Sequence, residues 1–201
     1  MQDCYKNQYW SGILEGLYHV IHVSTYSCYL KKIPNRFLKD SHLLKKLFNV
    51  SGKVEELEFN CFQGLQSLSE LDLSCNVIKH LNNTVFIDLR YLKKLNLSCN
   101  FLYTIHESNF MGLSHLRFLD ISNNYLQSLK AGSFSQLSSL RELNIVGDSK
   151  SIFLSDNEIE TIQSEAFLGL FSLKSLRLSY YTSPSVTIDS MHRLDDFEGP
   201  G

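Results

Sequence analysis

No run of eighteen apolar residues occurs anywhere in the 201-residue chain, so no transmembrane helix is expected in it. Charge of one sign is also lacking. Nineteen Lys and Arg stand against 21 Asp and Glu, a net charge of −2, which gives no global attraction to nucleic acid or to an anionic membrane. The five cysteines, Cys4, Cys28, Cys61, Cys75 and Cys99, form no Cys-x-x-Cys pair, which removes the usual signature of a zinc ribbon or a thioredoxin-type site. Their odd number leaves at least one thiol without a partner in the chain. The G-x-S-x-G, Walker A, G-x-G-x-x-G and H-E-x-x-H motifs are absent. His19 and His22 share an i, i+3 spacing, but no third ligand accompanies them. No catalytic residue, metal or cofactor is therefore expected. The opening residues 1–6 (MQDCYK) lack the apolar core of a secretory signal, and the weakly apolar stretch 13–23 is broken by Glu15, His19 and His22. What remains is ordinary: 43% hydrophobic and 20% charged residues, enough for one soluble domain with a substantial core.

Internal repetition is what the sequence does have. Leu68, Leu92, Leu116 and Leu140 each open a unit, and their even spacing leaves no gap between the first three. Those three read LSELDLSCNVIKHLNNTVFIDLRY, LKKLNLSCNFLYTIHESNFMGLSH and LRFLDISNNYLQSLKAGSFSQLSS. Apolar residues recur at positions 1, 4, 6, 11, 14, 19 and 22, with Asn at position 9. Positions 4 and 6 (Leu71/Leu73, Leu95/Leu97, Leu119/Ile121) alternate with polar residues, as in a short strand with one buried face. After the strand the chain turns inside the solenoid, where backbone groups need partners. Asn76, Asn100, Asn124 and Asn157 carry an amide donor and a carbonyl acceptor on one side chain and can form a structural ladder there. Phe86, Phe110, Phe134 and Phe167 at position 19 are expected to stack behind the sheet. One coil cannot bury such a face alone, so stability comes from stacking.

The pattern LxxLxLxxNxLxxLxxxxFxxLxx resembles the typical repeat of animal extracellular leucine-rich-repeat proteins, most of all Toll-like receptor ectodomains. The resemblance covers Leu68 to about Leu178. It implies an α/β solenoid, a horseshoe of right-handed coils with a parallel concave β-sheet and an irregular convex side carrying the Phe spine. Residues 28–34 (CYLKKIP) resemble the end of the cysteine-rich N-terminal cap of such proteins, so 1–43 is read as an N-terminal segment with a partial cap. Cys4 and Cys28, with Cys61, are the candidates for a cap disulfide, their pairing left open. Cys75 and Cys99 share position 8 of successive coils and are expected to be buried or half-buried thiols. Residues 44–67 form a degenerate repeat in which Gly52 stands for the Asn and Asn49 for a core Leu, so an irregular coil is expected. The repeats proper span 68–178, and the polar tail 179–201 is expected to be disordered and uncapped. With no cysteine after Cys99, and no leader at the start, the chain reads as part of a longer receptor.

The unit opening at Leu140 is longer than its neighbours and gives way to the next only at Leu173. Its extra residues, 146–154, leave the end of a strand, and Gly147, Asp148 and Lys150 are the candidate binding residues of that insert. A neutral insertion is the alternative. Position 3 and position 5 side chains point onto the concave sheet, which makes Glu70, Asp72, Lys94, Asn96, Phe118, Asp120, Glu142, Asn144 and Arg177 the candidate ligand-binding residues. Position 2 supplies a column of cations, Lys93, Arg117, Arg141 and Lys174, read first as solubility charge. Position 10 sets Val77, Phe101 and Tyr125 side by side at the strand exit, a stripe suited to a protein contact or receptor dimerisation. His80, His106 and His115 form no column, so a histidine switch is not expected. Sequons at Asn49, Asn82 and Asn96 are glycosylation candidates; a glycan on Asn96 would obstruct the concave face.

Taken with the resemblance, these features imply no enzyme but a binding module at the cell surface or outside the cell. Its expected partners are proteins or microbial or endogenous ligands, held on the concave or lateral face, as in an innate immune receptor. An extracellular-matrix or adhesion protein, proteoglycan-like or Slit-like, is the alternative, and a cytosolic scaffold the third.

Overall fold

The computed structural model describes residues 21–26, 30–50, 52–147, 159 and 161–178. Cys4, Cys28, Asp148, Lys150, Asn157 and the tail from 179 onward lie outside them.

The described chain winds as a solenoid in which every coil donates one strand to a common parallel sheet. The seven strands are β1 (His22–Tyr26), β3 (Lys46–Val50), β5 (Glu70–Asp72), β6 (Lys94–Asn96), β7 (Phe118–Asp120), β9 (Glu142–Asn144) and β11 (Ser175–Arg177), in that spatial order. Pairing follows the repeat: Leu47, Leu71, Leu95, Leu119, Leu143 and Leu176 stand opposite one another across the sheet. Each of these leucines is buried and flanked by position 3 and position 5 residues that are not. Two further parallel ladders lie after the strand, β2 (Lys32–Ile33) with β4 (Glu56–Leu57), and β8 (Ser128–Leu129) with β10 (Thr161–Ile162).

The core runs the length of the stack. Leucine or isoleucine at positions 1, 4, 6, 11 and 14 meets the position 19 ring, and most of these side chains are under 2% exposed. The spine begins one coil earlier than Phe86. Phe62 stacks on Phe86 at 5.8 Å, Phe110 on Phe134 at 6.1 Å and Phe134 on Phe167 at 6.0 Å, with interplanar angles of 18°, 19° and 3°. Offset stacking at this separation adds attraction beyond the apolar area removed from water.

The N-terminal segment contains a coil. β1 pairs with β3 one repeat further along the chain, His22 opposite Lys46, and Ile33 and Leu38 are buried at positions 14 and 19. The coil at 44–67, expected to be irregular, stacks in register on both sides, with Leu44, Leu47, Val54, Leu57, Phe62 and Leu65 all buried. Gly52 offers no amide side chain, yet the Val54 N–H that such a turn must satisfy is held by Asn76 Oδ1 of the next coil, at 3.2 Å.

Candidate functional site

At position 9 the amides make three kinds of bond at once. Asn100 Oδ1 accepts from Ile78 N–H of the preceding coil at 3.1 Å, while Nδ2 donates to Leu73 O at 2.9 Å and to Leu97 O at 3.0 Å. Asn124 repeats the pattern with Leu102 N–H, Leu97 O and Ile121 O. Asn76 also bonds within its own turn, to Leu73 O. The three side chains are 3%, 2% and 0% exposed for Asn76, Asn100 and Asn124, so each replaces water in a place water does not reach. A second buried amide works from position 18. Asn109, in the 3-10 turn Glu107–Phe110, accepts from His106 N–H at 2.8 Å and donates to Leu81 O of the coil before at 3.0 Å.

On the concave face, position 3 brings Lys46, Glu70, Lys94, Phe118, Glu142 and Ser175 into one row, and position 5 brings Phe48, Asp72, Asn96, Asp120, Asn144 and Arg177 into the next. Position 3 carries a local charge pairing: Glu70 lies 2.9 Å from Lys46 and 3.9 Å from Lys94. Position 5 is turned to another task. Asp72 Oδ1 accepts from Ser74 N–H at 2.9 Å, Asn96 Oδ1 from Ser98 N–H at 3.0 Å and Asp120 Oδ1 from Ser122 N–H at 2.9 Å. The Ser98 and Ser122 hydroxyls donate to the same oxygens, and Asn144 Nδ2 donates to Asp120 Oδ2 at 3.1 Å. These half-buried groups tie down the strand exit as Asx-turns. Glu142 and Arg177 are exposed on the same face. Gly147 is buried at the point where the insert leaves.

The sequons divide by surroundings. Asn82 is exposed, with Nδ2 donating to Leu57 O at 2.7 Å; Asn96 is half-buried; Asn49 belongs to β3. Cys61, a candidate for the cap disulfide, is a free thiol with no exposed surface. It sits at position 18, one residue before the Phe62 ring and inside the convex core, where burial pushes the thiol up to about 12. Cys75 and Cys99 are free as well.

The flank after the strand carries a connected group of partly exposed rings. Phe101 and Tyr125, neighbours at position 10, stack at 5.2 Å with planes 20° apart. Tyr103 packs against Tyr125 at 5.8 Å and against His80 at 6.0 Å, tilted by 42° and 43°. Tyr103 is 44% exposed, and the Phe101–Tyr125 pair is half-buried. Tyr103 and His80 extend the stripe expected from position 10, and the signal was present: Phe101 and Tyr103 are two apart in extended chain and so share a side. Beside the rings runs an open groove of about 740 Å³. Apolar Val77 and Phe101 line it together with the charged and polar Glu55, Glu56, Lys79, His80 and Asn82. Among the described residues no group of three or more His, Cys, Asp or Glu is placed to hold a metal ion.

A leucine-rich repeat family model matches residues 42–98 and 90–149, together more than half of the sequence. The chain belongs to the leucine-rich repeat family. Solved structures it resembles include a TLR13–ssRNA13 complex, at 28% identity and TM-score 0.72 over 85% of this chain and 23% of that one. The Toll–Spatzle complex of Drosophila matches at 22% identity and TM-score 0.72 over 92% of this chain and 26% of that one. Its glycosylated form gives 21% and 0.76, with 94% and 24% covered. The chain thus spans about a quarter of the length of each. No curated protein matches the sequence. Leucine-rich repeat solenoids of this kind are binding scaffolds, and among the described residues no helix is long and apolar enough to cross a membrane.

Proposed function

We propose that this leucine-rich repeat module binds a protein partner for a Toll-type innate immune receptor, on the outer side of the cell, through the aromatic flank at the strand exit. The observation that carries this reading is the connected surface of Phe101, Tyr103, Tyr125 and His80 beside the 740 Å³ groove. Large, stiff side chains with a polar tip contribute most to interface energy at small entropic cost. The concave row at position 5 has less to offer a partner, since its oxygens already hold the turns. Likeness to the TLR13 and Toll structures supports the receptor context. Of the two ligand classes those structures contain, RNA and protein, the net charge of −2 and the apolar rings favour protein.

The test is capture by the immobilised chain from secreted and microbial extracts, read by quantitative mass spectrometry against two variants. One carries Phe101→Ser, Tyr103→Ser and Tyr125→Ser; the other carries Lys94→Ser, Glu142→Ser and Arg177→Ser on the sheet. A partner enriched by the natural chain and by the sheet variant, and lost from the flank variant at least tenfold, supports the proposal. Retention by the flank variant with loss from the sheet variant moves the site to the concave face and overturns it.

A further inference from the structure

Position 8 of the repeat closes the strand exit in a left-handed backbone conformation. φ is +51° at Cys75, +55° at Cys99 and +52° at Asn123. Three successive coils therefore aim position 8 in the same direction, one coil spacing apart. The backbone locks this register: Cys75 N–H donates to Ser98 O and Cys99 N–H to Ser122 O, at 2.9 and 3.0 Å. The Cys75 and Cys99 side chains interact across the first interval, and Asn123 ends the row. Cys75 is half-buried, Cys99 is exposed, and both are free. Neither belongs to the core, to the Asn ladder or to the aromatic flank.

Geometry separates the two reactions open to such a pair. Side chains translated by one parallel-strand spacing start about 4.8 Å apart. A disulfide needs sulfurs at about 2.05 Å and Cβ atoms at about 3.8 Å, which asks the two coils to pinch together. Two metal–thiolate bonds of about 2.3 Å set in line span about 4.6 Å, which the undisturbed coils provide. With two sulfurs and, among the described residues, no third Cys, His, Asp or Glu placed to join them, the pair suits an ion content with two soft ligands and not the four that structural zinc takes.

We propose that Cys75 and Cys99 form a two-thiolate site for a soft monovalent cation, with cuprous ion as the ligand. Binding forms two copper–sulfur bonds, breaks two S–H bonds and releases two protons to solvent; no electron is transferred. The bound ion cross-links two adjacent coils at the edge of the concave face.

The experiment is anaerobic titration of the reduced chain with Cu(I) held by the chromophoric chelator bicinchoninate. The natural chain should withdraw one equivalent more than either Cys75→Ser or Cys99→Ser, while Cys61→Ser, changed at a buried thiol, should match the natural chain. Cys4 and Cys28 are common to all four proteins and cancel in the difference. Circular dichroism and melting without copper show that the variants fold. X-ray absorption at the copper edge should give two sulfur neighbours, and the melting temperature should rise with copper only when both cysteines are present. Equal uptake by the natural chain and both serine variants overturns the proposal. So does loss of two hydrogens from the Cys75–Cys99 peptide pair with the metal left on the chelator, which would make the pair a disulfide.

Discussion

Asn100 shows how much one side chain does in this fold. Its carbonyl and its amide together hold Ile78 N–H, Leu73 O and Leu97 O, two of them in the coil before. Asn100→Ala leaves a buried N–H without a partner, and that loss dominates the cost. We expect a destabilisation of about 2–4 kcal/mol, read from the midpoint of urea unfolding. Cys61 predicts a pH effect. Its thiol is held protonated to about 12 in the folded chain against an ordinary value of 9.0. Below 9 both states keep the proton, and the group leaves stability unchanged with pH. Between 9 and 12 only the unfolded chain releases it, so stability falls as pH rises, by up to about 1.4 kcal/mol per unit. Cys61→Ala should flatten that alkaline slope relative to the natural chain, and an identical slope in both would refute the assignment. The Asx-turns were also within reach of sequence reasoning. Asp72, Asn96 and Asp120 each precede a Ser by two residues, the spacing at which a side-chain oxygen takes up a backbone N–H. Strand alternation says which face a residue is on, but not what already holds its oxygens.

A regular coil from Leu68 onward is one strand, one amide turn and one ring. The period was legible because leucine, asparagine and phenylalanine hold fixed positions from Leu68 to Leu140. The coil before Leu44 was not, because Cys28 stands where Asn belongs and Thr25 where a core leucine belongs. It still keeps the repeat register with its neighbour, since β1 must pair with β3 to bury Ile33 and Leu38. The aromatic flank was half legible: position 10 was a visible column with Tyr103 two residues beyond Phe101, while His80 joins it only through packing. Two substitutions probe the element. Phe110→Ala, beneath the Phe134 ring, should cost about 3–5 kcal/mol by removing buried area and leaving a cavity. Gly112 has φ +93°, and a Cβ there would lie 2.5 Å from Ile87 O of the coil before. Gly112→Ala should cost about 2–4 kcal/mol from backbone strain and the forced separation of two coils. Both values can be read by thermal melting, and a neutral Gly112→Ala would show that the coils can part there freely.

Across the molecule, the sheet, the spine and the ladder all bond nearest neighbours only, so stability is a sum over coils and interfaces. A coil covered on both sides has two interfaces to break and an outer one has fewer. Amide hydrogen exchange should therefore be slowest at Leu95 and Leu119, the centres of β6 and β7, and at least tenfold faster at Leu176 in β11, the last strand of the sheet among the described residues. Uniform exchange across the sheet would mean that the stack opens as one unit. The binding role belongs to this scale as well. The fold could be read from the repeat, whereas the partner depends on which columns remain unengaged once every hydrogen bond is assigned.

Stacking of this kind also gives the molecule a mechanical character. Pulled at both ends, it has no clasp joining distant coils among the interactions described, and the load falls on the outermost interface. Coils should peel off singly, each giving a force peak and releasing one repeat, roughly 80 Å of contour. The long unit from Leu140 to Leu173 should instead give one step of roughly 110 Å. Stretched by force spectroscopy, the repeat lengths written in the sequence become a ruler that can be measured.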